Sequence, residues 1–262
     1  MHSGLVTYNI ANSWDLDTLI AKCKAHSFEG VELRTTHAHG VEPALTPQER
    51  RQVKAKFAAS GVCLWGLGSI CEYHSPDPKA LQQNIQTSKD FIDLAKDLGA
   101  VGVKVRPNNL PDEVPVDKTL QQIGEALREV GQYAATKGVE VWVEVHGRRS
   151  SHPPYMRRML EIANHPSVFA CWNCNNSDMV NGSVREYFEL LRPWIRSVHV
   201  HDLCAADYPY QEFFRLLVRA GYDRFVLAEI PDSPDADRVL DYYQALWKAY
   251  VELARRQVSL GT

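Results

Sequence analysis

The feature that most constrains the fold of this sequence is a regular alternation between short apolar runs and longer helical patterns. Eight runs rich in valine, isoleucine and other apolar residues are separated by segments whose apolar residues recur at helical spacing. The runs cover residues 5–10, 30–35, 62–69, 101–106, 139–146, 169–175, 197–201 and 225–230. Such alternation predicts βα units that assemble around a parallel sheet.

Helix-stop residues divide the chain into units of similar length. A glycine or a proline at the end of a helical pattern stops the helix before the next strand begins. These residues are Gly61, Gly99, Gly138, Pro166, Pro193 and Gly221. The units average about 32 residues, and eight of them fill the chain of 262 residues. We therefore predict an α/β fold, a (β/α)8 TIM barrel that forms a single domain over residues 1–262. The alternative is a doubly wound open sheet, but no Gly-rich phosphate loop follows the first run.

The composition limits the classes of partner. The 29 Lys and Arg residues nearly balance the 32 Asp and Glu residues, for a formal net charge of −3. This balance argues against nucleic acid as a partner, because binding to a phosphate backbone requires a clustered basic excess. No apolar stretch approaches the roughly 20 residues of a membrane span, and the first residues lack the features of a signal peptide. We therefore expect a cytoplasmic protein with no membrane partner.

The cysteines give a weaker signal. Six cysteines in a chain of this length are too sparse for a disulfide scaffold, so we expect reduced thiols. Cys171 and Cys174 form one CxxC pair. Without a second pair, this motif is only a weak indication of a zinc or redox site.

Residue parity within the predicted strands places ionisable side chains inside the barrel. Side chains alternate between the interior and the layer under the helices. In the run 139–146, valines occupy the odd positions, so Glu144 and His146 point inward. The same rule predicts further inward side chains: Glu32, Arg34, Lys104, Arg106, Asn173, Asn175, His199, His201 and Glu229. Burial of so many polar groups is costly unless they pair or bind a ligand, so we expect a functional site inside the barrel.

Three of these residues form a candidate metal site. Glu144, His199 and Glu229 lie near the C-terminal ends of the fifth, seventh and eighth predicted strands, which is the end where such barrels carry their sites. Two carboxylates and an imidazole suit one divalent cation, and Mn, Co, Zn, Mg and Fe all remain open.

The basic residues have two interpretations. Arg34, Lys104 and Arg106 are predicted to bind an anionic or polyhydroxyl substrate. Ion pairing inside the barrel is the alternative. For Glu32 we prefer the ion-pair interpretation, with Arg34 as the partner of Glu32 in the barrel floor.

Short motifs in three strands resemble those of the xylose isomerase-like TIM barrels. This superfamily contains sugar and sugar-phosphate isomerases and epimerases, dehydratases and an apurinic endonuclease branch. The motifs are Val-Glu-Val-His-Gly at 143–147, His-Val-His-Asp at 199–202 and Leu-Ala-Glu-Ile at 227–230. The resemblance covers essentially the whole chain and implies that Glu144, His199 and Glu229 are metal ligands.

The fourth family motif departs from its usual form. The usual Trp-Asp-x-x-His reads Trp-Asn-Cys-Asn-Asn at 172–176, so Asn173 and Asn176 occupy the Asp and His positions. The resemblance implies Asn173 as the fourth ligand. An amide removes one negative charge but keeps an oxygen that can coordinate. Asp178 is a candidate for a compensating ligand. The same Asn marks a less characterised branch of the superfamily.

The resemblance implies a divalent-metal-dependent isomerase or epimerase that acts on a small-molecule sugar or sugar derivative. The reaction removes a proton next to a carbonyl and passes through an enediolate, with one Mn, Mg, Co or Zn ion as cofactor. Glu144 and Glu229 are implied as proton carriers, and His201 as a further acid–base or a hydrogen-bond donor. The residues expected to contact substrate are Arg34, His39, Glu72, Lys104, Arg106, His146 and Asn175.

Two other functions stay open. A lyase or dehydratase acting on a keto-sugar or cyclitol would use the same metal-enolate chemistry. A metal-free carbohydrate-binding protein is suggested by Asn173 and Asn176. An endonuclease fits poorly, because an isoelectric point of about 6.4 disfavours DNA affinity. The resemblance also leaves a homo-oligomer open, since relatives are often dimers or tetramers.

Overall fold

The computed structural model of the protein describes residues 1–261 and shows a closed barrel of eight parallel strands. The strands are paired in chain order from β1 to β8, and β8 pairs with β1. They are β1 His2–Val6, β2 Gly30–Arg34, β3 Cys63–Glu72, β4 Gly102–Arg106, β5 Glu140–Glu144, β6 Val168–Trp172, β7 Ile195–Val200 and β8 Phe225–Ala228. The predicted (β/α)8 TIM barrel is confirmed.

A helix follows each strand. The helices are α1 Leu16–Ala25, α2 Pro47–Ser60, α3 Pro78–Leu98, α4 Val116–Lys137, α5 Pro153–Ala163, α6 Arg185–Leu191, α7 Tyr210–Arg219 and α8 Ala236–Ser259. The predicted glycine stops at Gly61, Gly99 and Gly138 are confirmed, because all three have positive φ angles directly after α2, α3 and α4. Among residues 1–261, no helix is long and apolar enough to cross a membrane.

Several predicted strands extend too far at their C-terminal ends. The predicted runs 139–146, 169–175 and 225–230 correspond to strands that end at Glu144, Trp172 and Ala228. The error has one physical cause. The first loop residues after these strands are themselves largely buried, so the apolar pattern of the strand continues in the sequence although these residues do not pair with a neighbouring strand. This matters for the site, because much of its chemistry lies in those first loop residues.

The lower interior of the barrel is an apolar plug, which we call the aromatic floor. It is a hydrophobic cluster separate from the main core between strands and helices, and it consists of Val6, Trp65, Trp142, Cys171, Phe225 and Leu227. The rings of Trp65 and Trp142 stack with centroids 5.0 Å apart. Glycines on β3 and on β4, the strand that pairs with β5, make room for the ring of Trp142: a Cβ atom at Gly66 or Gly102 would lie 2.6 Å or 2.5 Å from it.

Candidate active site

Above the aromatic floor, three strand ends bring Glu144, His199 and Glu229 together. Glu144 is the last residue of β5, His199 is the penultimate residue of β7, and Glu229 directly follows β8. Each offers one ligand atom, and these atoms lie within 4.8 Å of one another. Nδ1 of His199 is 3.4 Å from Oε1 of Glu144 and 3.6 Å from Oε2 of Glu229. The convergence predicted from strand parity is therefore present in the fold.

Glu32 orients the imidazole of His199. Its Oε2 lies 3.1 Å from Nε2 of His199, and both side chains are fully buried. The predicted ion pair between Glu32 and Arg34 does not form, because the Glu32 carboxylate is directed at His199 instead. Gly68 leaves the space for this carboxylate, since a Cβ there would be 2.8 Å from Oε1 of Glu32.

The contact with Glu32 leaves the other nitrogen of His199 available. Nδ1 is buried and has no hydrogen-bond partner within residues 1–261. A carboxylate behind a histidine that presents its second nitrogen to a pair of carboxylates is the usual environment of a metal ligand. The residues present therefore fit a divalent cation. Burial alone would lower the pKa of His199, but Glu32 and Glu229 are among the neighbours that hold the pKa well above its ordinary value.

Both carboxylates of the triad are ionised at neutral pH. Burial would raise the pKa of Glu144, but Lys104 and His199 hold the pKa well below its ordinary value. Nζ of Lys104 is 2.7 Å from Oε2 of Glu144, and both side chains are buried. For Glu229, His199 and His201 overcome burial and lower the pKa to about 2. The site thus holds two carboxylates that can act as bases.

Asn173 lies next to the triad rather than in it. Its side chain is buried one residue beyond β6, and Oδ1 lies 3.3 Å from Nε2 of His201. The same nitrogen of His201 is 3.5 Å from Oε2 of Glu229. Asn173 and His201 therefore form a polar side of the site next to Glu229.

Asp178 does not act as the compensating ligand considered from the sequence. Its carboxylate is fully buried and accepts a hydrogen bond of 2.7 Å from the backbone N–H of Asn175. It lies outside the group of ligand atoms formed by Glu144, His199 and Glu229. Burial raises the pKa of Asp178 to about 8. Its role is to shape the loop after β6.

The cavity around the triad has two parts that share Tyr8 and Glu229. The larger part, about 350 Å³, is here called the aromatic lobe; its walls include Asn176, His201, Asp202, Tyr208 and Tyr210. The smaller part, about 90 Å³, is called the basic lobe and is lined by Tyr8, Arg34, Lys104, Arg106, Glu144, His146 and Glu229. Four predicted substrate-binding residues, Arg34, Lys104, Arg106 and His146, thus share one wall.

The other three residues predicted to bind substrate have structural contacts instead. His39 is buried, its Nε2 donates to the carbonyl of Arg34, and its Nδ1 accepts from the N–H of Val41, so neither nitrogen is free. The side-chain amide of Asn175 donates to the carbonyl of Val145 at 2.6 Å. Glu72 lies 2.7 Å from Nη2 of Arg106 and anchors that guanidinium. None of the three lines either lobe.

The CxxC pair is not a metal or redox centre in this fold. Cys171 belongs to the aromatic floor, whereas Cys174 packs in the core outside the strands. Burial raises the pKa of both thiols, so neither is a ready nucleophile or ligand. All six cysteines are free.

Sequence reasoning missed the tyrosines of the cavity and the role of Glu32. Tyr8 follows β1, Tyr208 lies near the end of the β7–α7 connection, and Tyr210 is the first residue of α7. The one available signal was position, since loops after barrel strands carry the site. The partner of Glu32 could not be read from the sequence because 167 residues separate it from His199.

The fold agrees with the comparisons to known proteins. The family model described as xylose isomerase-like TIM barrel matches residues 20–248. The chain belongs to this family. A search of the curated proteins gives no match.

Sugar epimerases are among the similar solved structures. L-Ribulose 3-epimerase superimposes with a TM-score of 0.83 at 16% identity, covering 100% of this chain and 98% of that one. D-Psicose 3-epimerase with D-tagatose, from Clostridium cellulolyticum H10, has a TM-score of 0.80 at 16% identity, covering 97% and 99%. The probable 3-DHS dehydratase of petrobactin synthesis from Bacillus anthracis has a TM-score of 0.76 at 15% identity, covering 95% and 99%. At these identities the likeness concerns the fold.

Proposed function

We propose that the protein is a divalent-metal-dependent isomerase or epimerase of a sugar or sugar derivative. The observation that carries this proposal is the pair of ionised carboxylates, Glu144 and Glu229, on either side of the unpartnered Nδ1 of His199. Such a pair can remove a proton from one side of a carbon and return it from the other.

Glu144, His199 and Glu229 would hold the ion, with Asn173 as the fourth ligand. When bound, a divalent ion such as Mn, Mg, Co or Zn polarises a substrate carbonyl and stabilises the oxygen of the enediolate. Glu32 keeps the imidazole of His199 in the orientation that presents Nδ1.

The proton transfers are assigned to the two carboxylates. Lys104 holds Oε2 of Glu144 and leaves Oε1, the oxygen nearer His199, for the reacting centre. Glu144 and Glu229 both line the basic lobe, and Glu229 also lines the aromatic lobe, so both carboxylates face the space in which a substrate carbon would lie. His201 lies 3.5 Å from Glu229 on the rim, where it can donate a hydrogen bond to a substrate hydroxyl or pass a proton to solvent.

A proton-exchange screen tests the proposal. The protein is incubated in D2O with ketoses, keto-acids and cyclitols in the presence of Mn2+ or Mg2+, and deuterium in the substrate is measured by mass spectrometry. We expect incorporation at the carbon next to a carbonyl, and its loss in Glu144→Gln by at least about a thousandfold, because base catalysis and metal binding are both impaired.

The matched control is Glu161→Gln, the same chemical change on an exposed residue of α5. Its exchange rate should equal that of the wild type. Full activity of Glu144→Gln, or no exchange with any carbonyl substrate, would overturn the assignment.

A lyase or dehydratase is the second candidate, and the dehydratase among the similar structures favours it. The same proton abstraction would then be followed by loss of a β-hydroxyl group, with His201 placed to protonate it. A product with a new double bond, seen by ultraviolet absorbance, separates this reaction from epimerisation.

A third candidate, a metal-free carbohydrate-binding protein, is suggested by Asn173 in place of a carboxylate. Metal analysis of protein purified without chelator tests it. A stoichiometric divalent ion would rule this candidate out, and the absence of one would contradict the metalloenzyme.

A further inference from the structure

We propose that the substrate carries a carboxylate, which binds in the basic lobe between Arg34 and Arg106. This inference rests on the proposed function, because it assumes that the rest of the substrate reaches Glu144 and Glu229. It narrows the substrate class from sugars in general to sugar acids and related keto-acids.

The first argument is the pairing of the three cations that line the basic lobe. Lys104 is neutralised by Glu144 at 2.7 Å, and Arg106 by Glu72 at 2.7 Å. Arg34 has no carboxylate within ion-pair distance among residues 1–261. It is the unneutralised charge of the lobe, so an anion there would complete the pairing.

The second argument is the set of hydrogen-bond donors. Nη1 of Arg34 donates to the carbonyl of Thr35 and to Oγ1 of Thr36, both at 2.9 Å, which fixes the guanidinium. The guanidinium also lies over the ring of Tyr8, with Cζ of Arg34 5.6 Å from the ring centroid. Nε and Nη2 have no protein acceptor in the described chain. A guanidinium held in this way has one edge ready for a bidentate carboxylate.

Arg106 contributes a second unsatisfied donor. Its Nη2 is used by Glu72, whereas its Nε is buried and has no hydrogen-bond partner within residues 1–261. A buried donor without an acceptor is unfavourable. Arg106 is also close enough to Arg34 to act on it as a like charge. An oxyanion between the two guanidiniums would relieve this repulsion.

Charge favours a carboxylate over a phosphate ester. Lys104 and Arg106 are each neutralised by one carboxylate, so Arg34 is the one guanidinium or ammonium group of the lobe that no carboxylate of the described chain pairs with. This single charge matches a singly charged group such as a carboxylate, whereas a phosphate monoester carries about 1.5 to 2 negative charges at pH 7.

Isothermal titration calorimetry with three six-carbon probes tests the inference without using catalysis. D-Gluconate, D-glucitol and D-glucitol 1-phosphate differ only at carbon 1, which is a carboxylate, a hydroxymethyl group or the phosphate ester of that hydroxymethyl group. Titrations are made with and without Mg2+. We expect gluconate to bind at least about tenfold more tightly than glucitol, as charge-assisted hydrogen bonds predict.

Arg34→Gln should remove most of this preference by weakening gluconate binding much more than glucitol binding, whereas Arg34→Lys should restore part of the preference. Arg157→Gln, on the exposed face of α5, is the matched control and should bind as the wild type does. If Arg34→Gln does not fold, the salt dependence of the wild type decides. Gluconate affinity should fall with added KCl, and glucitol affinity should not.

The outcomes separate this inference from the proposed function. Equal affinity for gluconate and glucitol overturns the inference, even where proton exchange is observed with neutral ketoses. Tighter binding of the phosphate probe overturns it in favour of a phosphate ester. Arg34-dependent binding of gluconate supports it, even where the exchange screen fails and the isomerase proposal falls.

Discussion

Two layers of the barrel interior lie one above the other and differ in chemistry. The aromatic floor consists of apolar side chains that stack and fill the space left by glycines on β3 and β4. The layer above it contains Glu32, Lys104, Glu144 and His199, all buried, with Glu229 at its edge. Burial of the apolar side chains in the first layer stabilises the fold. In the second layer, burial removes charged groups from water, and the ion pairs offset only part of this desolvation cost.

The comparison shows how a barrel can carry a costly site. Interior positions of the same strands serve both layers: Trp142 belongs to the floor and Glu144, two residues later on β5, belongs to the site. The floor therefore supports the strands from which the charged groups project. Stability and function should respond separately to substitutions in the two layers, and four predictions test this separation.

The largest expected effect is on the floor. Trp142→Ala should lower the free energy of unfolding by about 3–5 kcal/mol, because it leaves a cavity beside Trp65 and the two facing glycines. Urea denaturation followed by circular dichroism measures the loss. His201→Gln, in the upper layer, should cost far less, because the His201 side chain is 40% exposed and no buried cation loses its partner. Equal losses for the two variants would show that the layers are not separable.

A substitution behind the triad should act on function with little effect on stability. Glu32→Gln should weaken divalent metal binding about 10–100-fold, because His199 loses the carboxylate that orients its imidazole. Calorimetric titration with Mn2+ measures the affinity. Glu29→Gln, an exposed residue that precedes the same strand, serves as the control. An unchanged affinity for Mn2+ in Glu32→Gln would remove Glu32 from the site.

Restoring a carboxylate should strengthen the upper layer as a metal site. Asn173→Asp should tighten Mn2+ binding by about tenfold, roughly 1.4 kcal/mol, because it adds one negative charge next to the triad. The same variant should lower the unfolding free energy of the metal-free protein, since a further buried carboxylate adds repulsion. If Mn2+ affinity does not change, Asn173 is not a direct ligand.

The smallest effect lies at the opposite end of the barrel. His26, at the end of α1, hydrogen-bonds Asp241 and Asp237, and these bonds outweigh burial and raise the pKa of the imidazole. A raised pKa in the folded state adds stability below the unfolded pKa of about 6.5, and this gain disappears as pH rises through the folded pKa.

Because the aspartates are exposed, the contribution of His26 should be below about 1 kcal/mol. His26→Gln should remove this part of the pH dependence of unfolding between about pH 6 and pH 8, measured by urea titration at several pH values. Metal binding should not change. A larger effect on metal affinity than on stability would contradict the separation of the two ends.

The barrel and the convergence of the triad could be predicted because both follow from backbone periodicity. Once strands alternate inward and outward, Glu144 and His199 must project into one space. What each inward group contacts could not be predicted. Glu32 was assigned to Arg34, its neighbour on the strand, but its carboxylate contacts His199 on β7. Register across the barrel decides such pairs, and no local pattern encodes it.

The loops were the least predictable part, for a related reason. His39 appeared to be a site residue because it follows a strand, yet both of its nitrogens bond the backbone of its own loop. No sequence pattern indicates a role for Tyr8, yet its side chain lines both lobes of the cavity. Loop side chains have no fixed period, so only the folded path of the chain shows which of them reach the cavity.

The stacked rings of Trp65 and Trp142 make this barrel a blind chamber rather than a tube. A small molecule must then both enter and leave through the opening at the C-terminal ends of the strands, beside Tyr8 and Tyr208. A product has to depart before the next molecule arrives, and departure through such a gateway is often the slowest event in a catalytic cycle. For the proposed isomerase, residues of the β1–α1 and β7–α7 connections would then control the rate of product release without contacting the reacting atoms.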